Sequence, residues 1–308
     1  MSVFIWVLQI VFVPVVSPLC VGCIRKIKAK MQNRIGASIF QPYLDLAKLL
    51  QKDEVISEDA SWIFKFAPYV IFASTIVIGA SIPILTTILN SPLAGDLLTI
   101  VYLLAIGTFF LALAGMDTGS AFGGFGSSRE MTISALAEGG LIFSLLAASL
   151  LAGTTNLFAI SGADLLSSSE NFLPLALAFV GFFLVMLAET ARYPYDNPST
   201  HLELTMVHEA MILEYSGKRL ALIEWASSNK LLIFFMLGAN VFFPWGIATT
   251  AAPGAVLLAL GAIALKLVVF CAAVAILESV MAKFRFFRLP DILITSFILS
   301  ATAIGFLL

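Results

Sequence analysis

The sequence predicts an all-α polytopic membrane protein: eight transmembrane helices, with amphipathic helices in the loops on one side. Three observations carry this reading. Of 308 residues, 60% are apolar and only 12% charged, about half the roughly 25% charge content of a soluble domain. The apolar residues fall into eight runs near the roughly 20 residues a helix needs to cross about 30 Å of hydrocarbon. The basic residues lie almost entirely in alternate loops between those runs. A water-soluble globule and a disordered chain are both excluded. The formal net charge of -2 says little about partners, because position relative to the bilayer decides what each charge does.

The spans are placed at 3–24, 67–89, 97–116, 131–152, 172–190, 231–249, 255–278 and 292–308, in one membrane domain covering the whole chain. The first run has no basic region before it and is followed by Arg25, Lys26, Lys28 and Lys30, so it reads as a retained anchor rather than a signal peptide. Within the loop 25–66, Phe40, Leu44, Ala47 and Leu50 recur at helical spacing opposite Gln41, Asp45, Lys48 and Lys52, which predicts a helix lying in the interface. Between the third and fourth spans, GMDTGSAFGGFG at 115–126 follows a membrane helix rather than a strand. It is expected to form a tight turn using Asp117, not a nucleotide loop. Between the fifth and sixth spans, residues 199–226 interleave Glu203, His208, Glu209, Glu214 and Glu224 with apolar residues, which predicts a second loop helix whose acids face protein or a wet cavity.

Orientation follows from Lys and Arg, since basic loops stay cytoplasmic. Loops 25–66, 117–130, 191–230 and 279–291 hold every basic residue except Lys266, and the opposite loops hold only Asp96, Asp164 and Glu170. Both termini are therefore expected on the non-cytoplasmic side. Lys266 falls in the middle of the seventh span, where a charge is costly enough to mark a functional candidate.

Chemistry concentrates from Glu189 to Glu214, which includes Asp196, Glu203 and Glu209 beside Arg192, His201 and His208. Carboxylates at that depth hold protons more tightly, and neighbouring acids add to the effect, so a chain of them can pass protons near neutral pH. Glu138 in the fourth span, Lys266 and Glu278 extend the candidate path. The plainer readings are headgroup water around Glu189 and Glu278, and structural ion pairs for Glu138 and Lys266. His201 and His208 have no further nitrogen or thiolate ligand nearby, which argues against a metal site. Cys20, Cys23 and Cys271 lie in apolar runs and read as packing residues.

Asn33 to Val55 (NRIGASIFQPYLDLAKLLQKDEV), GSSREMTISALAE at 126–138, ETARYPYD at 189–196 and EYSG at 214–217 together resemble the subunit 1 (H subunit) family of respiratory complex I. DTGSAFGGFGSSRE at 117–130 and LESVMAKFRF at 277–286 are more similar to the membrane subunits of formate hydrogenlyase and other group 4 energy-converting nickel-iron hydrogenases.

The resemblance implies a non-catalytic membrane anchor and ion-coupling subunit in a prokaryotic cytoplasmic membrane. It implies soluble hydrogenase-type large and small subunits and iron–sulfur proteins as partners, with antiporter-like membrane subunits beside the chain in the bilayer. No nucleic acid is implied. The nickel-iron site and iron–sulfur clusters are expected in the partners, with no cofactor in this chain. Glu138, Glu189, Asp196, Glu203 and Glu214 fall on acidic positions of the family's coupling funnel. Arg34, Gln41, Asp45 and Lys48 fall on its first cytoplasmic loop. Docking candidates are these four with Arg129, Arg192, Arg285 and Arg288. Where complex I carries two further glutamates between Asp196 and Glu203, this chain has Ser199, Thr200 and His201, which weighs against the alternative of a quinone-cavity subunit. A stand-alone transporter is the third reading; no internal repeat supports it.

Overall fold

The computed structural model describes residues 2–88, 95–163, 165, 169–197, 206–250 and 252–308. Eleven α-helices occur among them: α1 Ser2–Met31, α2 Gln41–Gln51, α3 Trp62–Ser81, α4 Leu97–Asp117, α5 Ala121–Ala152, α6 Leu157–Gly162, α7 Phe172–Glu189, α8 His208–Ile212, α9 Gly217–Leu237, α10 Pro253–Val280 and α11 Leu289–Leu307. Eight helices are long and apolar enough to cross a membrane, α9 being extended by a π turn to Phe242 and α11 preceded by a 3-10 turn from Phe286. Helices satisfy their own backbone groups, the condition for lying in hydrocarbon.

α5 packs against α4, α7 and α11, and α3 against α4 and α9; α1 joins α9 to α10 at the edge. Consecutive crossings alternate. One end of the bundle gathers the C-termini of α1, α4, α7 and α10 with the N-termini of α3, α5, α9 and α11. There Asp117, closing α4, accepts from Ser61 N (2.8 Å), Ser61 Oγ (2.7 Å) and Phe64 N (3.2 Å) at the start of α3, where a carboxylate suits the helix dipole. This end also carries the basic residues, and we call it the basic end. At the opposite end Asp96 caps α4 and accepts from Thr155 Oγ1 at 2.6 Å, while Ala248 N donates to Leu85 O at 3.0 Å.

The interface helix expected at 40–52 forms as α2. Several boundaries differ from the sequence reading. α1 runs on to Met31 where an end at 24 was expected, so Arg25, Lys26, Lys28 and Lys30 are helical, and α3 covers Trp62–Ser81 where 67–89 was expected. Residues 121–126, expected in a tight turn, are the first turns of α5, so Arg129 is helical. The turn shrinks to Thr118–Ser120, with Asp117 at its edge as expected. The loop 191–230 ends at Ser216, and Lys218, Arg219 and Lys230 ride on α9. The loop helix within 199–226 is reduced to the five residues of α8; of the rest of that segment that the structure describes, 206–207 and 213–216 are non-helical and 217–226 belong to α9. Hydropathy alone places a span start where the apolar run begins, but a helix continues into polar sequence wherever other helices cover it.

Candidate functional site

The segments that build the site leave their helices by the same turn. After α7, Arg192 N donates to Leu187 O (2.8 Å) and Ala191 N to Ala188 O (3.1 Å), with Ala191 at φ +50°. After α1, Arg34 N donates to Ala29 O (2.8 Å) and Asn33 N to Lys30 O (3.1 Å), with Asn33 at φ +54°. Both are Schellman closures, which spend the last orphan carbonyls and turn the chain sharply. The first leaves Glu189 on the final turn of α7 facing inward and throws Arg192 back across the bundle.

Inside lies a chamber of about 50 Å³ lined by Ser74, Thr75, Thr108, Glu130, Glu189, His208 and Lys230. That is several times the roughly 10–15 Å³ one water requires. Lys230 Nζ on α9 donates to Glu189 Oε2 (2.7 Å) and to Thr108 Oγ1 (3.2 Å), and Ser134 Oγ donates to Glu189 Oε1 at 3.3 Å. Glu130, 8% exposed, shares the chamber from α5. Asn229, one residue before Lys230, bridges Ser17 on α1 and Thr75 on α3 at 2.6 and 3.0 Å, which fixes the helix face that presents the lysine.

Outside the chamber a vestibule of about 620 Å³ opens toward the basic end. Its lining includes Arg25, Lys28, Arg34, Asp45, Arg192, Glu209, Glu224 and Glu278. The two spaces share Thr190, Ala191, His208 and Ser227 as lining, so these residues form the wall between them. Glu278, 6% exposed at the end of α10, is held by Arg192 Nη1 on Oε1 and Lys28 Nζ on Oε2, each at 3.1 Å. Asp196 anchors the loop: it pairs with Lys283, and its Oδ2 accepts from His208 N at 3.1 Å, at the start of α8. Burial pushes the Glu209 carboxyl up to about 7, with Glu224 and Asp196 adding and Arg25 opposing. Burial pushes His208 down to about 4 against the attraction of Asp196, and Lys230 lowers it further. At neutral pH His208 is therefore neutral, and Glu209 is close to half protonated.

Of the expected path residues, Glu189 lines the chamber, Glu209 and Glu278 line the vestibule, and Asp196 braces the wall between them. Glu138 is half-buried on α5 about two turns past Glu130 and lines neither space; Glu214 is exposed. Lys266 is not joined to the cluster: its Nζ donates to Asn240 Oδ1 (3.1 Å), which stands among the backbone carbonyls of Pro83 and Ile84 at the opposite end. Glu203 and His201 lie outside the described residues. Among the docking candidates, Arg34, Lys48, Arg285 and Arg288 are exposed. Gln41 donates to Asp45 Oδ1 at 2.8 Å along α2. Arg192 is turned inward on Glu278, and Arg129 donates to Met206 O (3.0 Å) and stands over the Phe286 ring, so both hold the chain's own loops. The sequence reading passed over Glu130 and Lys230. A helical face drawn through Ser127, Glu130 and Ser134 was the available signal for the first.

The NADH dehydrogenase family profile matches residues 3–308. Formate hydrogenlyase subunit 4 of Escherichia coli (strain K12) is 34% identical over 292 residues, 95% of this chain and 94% of that protein. Hydrogenase-4 component C of the same strain is 35% identical over 297 residues, 96% and 92% of the two chains. The H subunit of the NADH-quinone oxidoreductase of Paraburkholderia xenovorans (strain LB400) is 30% identical over 259 residues, 77% of this chain and 72% of that one. A chain of the membrane-bound sulfane sulfur reductase, an archaeal respiratory membrane complex, shares the fold with a TM-score of 0.83 at 22% identity, covering 98% of this chain and all of that one. With the full-length profile match and relatives above 30% identity, the chain belongs to the NADH dehydrogenase subunit 1 family.

Proposed function

We propose that this chain is the membrane anchor and proton-coupling subunit of a hydrogenase complex of several subunits, of the formate hydrogenlyase kind, linking a soluble redox arm to ion movement. The observation that carries the reading is the shared wall of vestibule and chamber, which sets Glu209 and His208 on the way to Glu189, Lys230 and Glu130. The two hydrogenase relatives cover 95–96% of this chain, against 77% for the complex I relative. The redox centres belong to partner subunits. By the basic-loop rule, the basic end faces the cytoplasm of a prokaryotic inner membrane and both termini lie on the other side.

The family relationship keeps one alternative in view, the quinone-cavity subunit of complex I. The shorter match to the complex I relative, 77% of this chain, weighs against it; the vestibule lining, four cations and four carboxylates beside Val21, Leu46, Leu49 and Leu220, admits water and ions.

The test is Glu189→Gln and Glu130→Gln in the whole complex in proteoliposomes. The amide keeps the shape of the carboxyl and cannot carry a proton. The complex should assemble while proton movement per turnover falls by about tenfold or more. Full coupling in both variants would remove the chamber from the path.

A further inference from the structure

The chamber holds more acid than base. Glu189 on α7 and Glu130 on α5 share a space of about 50 Å³ with one ammonium, that of Lys230 on α9. His208 is the remaining titratable group of the lining and is neutral at neutral pH; Asp196 stands behind it, paired with Lys283. Both oxygens of Glu189 are engaged, Oε2 by Lys230 Nζ at 2.7 Å and Oε1 by Ser134 Oγ at 3.3 Å. Glu130 is buried too, and no cation among the described residues lies within ion-pair distance of it. Two carboxylates bordering so small a space repel each other when both are ionised, and a buried carboxylate without a counter-charge is costly. The favoured state is neutral overall, with one proton on the two acids, and the position of the ammonium decides which acid holds it.

Lys230 is built to change sides. Four methylenes separate its charge from the backbone, and rotation about them moves the tip while α9 stays in place. α9 itself is pinned one residue earlier, where Asn229 bridges Ser17 and Thr75. The ammonium divides its hydrogen bonds between Glu189 on α7 and Thr108 Oγ1 on α4, the latter at 3.2 Å. It therefore lacks the two-point grip on one carboxylate that an arginine fork would make.

We infer that Lys230 is the switch of the chamber, moving from Glu189 to Glu130 when a proton reaches Glu189 and driving the proton off Glu130. This rests on the reading of the chamber as part of the proton path. The cycle starts from the observed arrangement, with Lys230 on ionised Glu189 and the proton on Glu130. A proton entering from the vestibule forms an O–H bond on Glu189 and cancels the ion pair. The freed ammonium turns to Glu130, whose O–H bond breaks and whose proton leaves to water. One proton has entered and one has left, so the three groups are neutral together before and after. Transfer of the remaining proton from Glu189 to Glu130, as the ammonium returns, restores the start.

The first experiment is electron cryomicroscopy of the intact complex carrying Glu189→Gln, whose neutral amide stands in for the protonated acid. Lys230 Nζ should leave position 189 and lie within about 3 Å of a Glu130 oxygen. An ammonium that stays between position 189 and Thr108 would overturn the switch. Proteoliposomes supply the second measurement. Lys230→Gln should lower proton movement per turnover by about tenfold. Lys230→Arg should lower it as well, because the fork holds one carboxylate and does not let go, whereas a static counter-ion would be restored by arginine. Coupling lost in Glu189→Gln and Glu130→Gln but kept in either Lys230 variant would sink the switch and leave the chamber in the path. Coupling kept in all four variants would remove both. If Lys230→Gln does not accumulate in the membrane, the position of the ammonium in Glu189→Gln decides.

Discussion

His208 and Glu209 are adjacent in sequence, and burial acts on them in opposite directions, because it favours the neutral form of each. Their pH signatures follow from linkage. The Glu209 carboxyl, raised from 4.5 to about 7, holds its proton more tightly in the folded state. The stability this gives is complete below pH 4.5 and is lost as pH rises from there through about 7. His208, lowered from 6.5 to about 4, costs stability as pH falls through that interval. Glu209→Gln removes the first dependence only. Thermal melts of the purified complex should show the variant gaining on the parent as pH rises from 4.5 to 7, with a constant difference above. Parallel curves would mean that Glu209 is fully hydrated.

At the scale of elements, the motif EYSG at 214–217 acquires a reason. Gly217 starts α9 at φ +53°, and a Cβ there would stand 2.8 Å from Asp53 O and 3.0 Å from Lys52 O. The loop after α2 therefore lies directly against the start of α9, where Glu54 pairs with Arg219 and Tyr215 stacks on Phe64 at 3.9 Å between ring centroids. Gly126 on α5 does the same for α8: a Cβ would meet Ala210 Cβ at 2.8 Å and Val207 O at 2.9 Å. Gly217→Ala combines a left-handed backbone with a backbone clash and should destabilise the protein by about 1–3 kcal/mol, read as a lower melting temperature of the complex. An unchanged melt would show that the loop can move away freely. These positions also mark how far the sequence could be read. Apolar runs located all eight crossings, because hydrocarbon length is a strong constraint. They could not show that α5 begins at Ala121 in glycine-rich sequence, nor that α9 begins at Gly217, because there the helix rests on other protein rather than on lipid. The same error hid Glu130 and Lys230. Both were assigned to loops or loop edges, and both sit a few turns inside helices, facing the chamber.

At the scale of the molecule, the proposed function puts a soluble arm at the basic end, and the structure divides the cations there into two groups. Lys28, Arg192, Lys230 and Lys283 are engaged with Glu278, Glu189 and Asp196, and Arg129 with Met206 O. Arg34, Lys48, Arg285 and Arg288 are exposed. The arm is therefore expected to rest on the second group. Arginine forks pair bidentately with carboxylates, and truncating one side of a desolvated interfacial pair costs about 2–5 kcal/mol. Combined replacement of Arg34, Arg285 and Arg288 by alanine should release the soluble subunits in a salt wash, with this chain still inserted in its normal orientation. Arg129→Ala should act differently, loosening the segment before α8 and lowering the melting temperature while the arm stays bound. The contact to Met206 O is internal, and no partner is needed to explain it. Retention of the arm by the triple variant through the same wash would move docking to the α2 face or to the vestibule rim, and would return these arginines to the lipid headgroups.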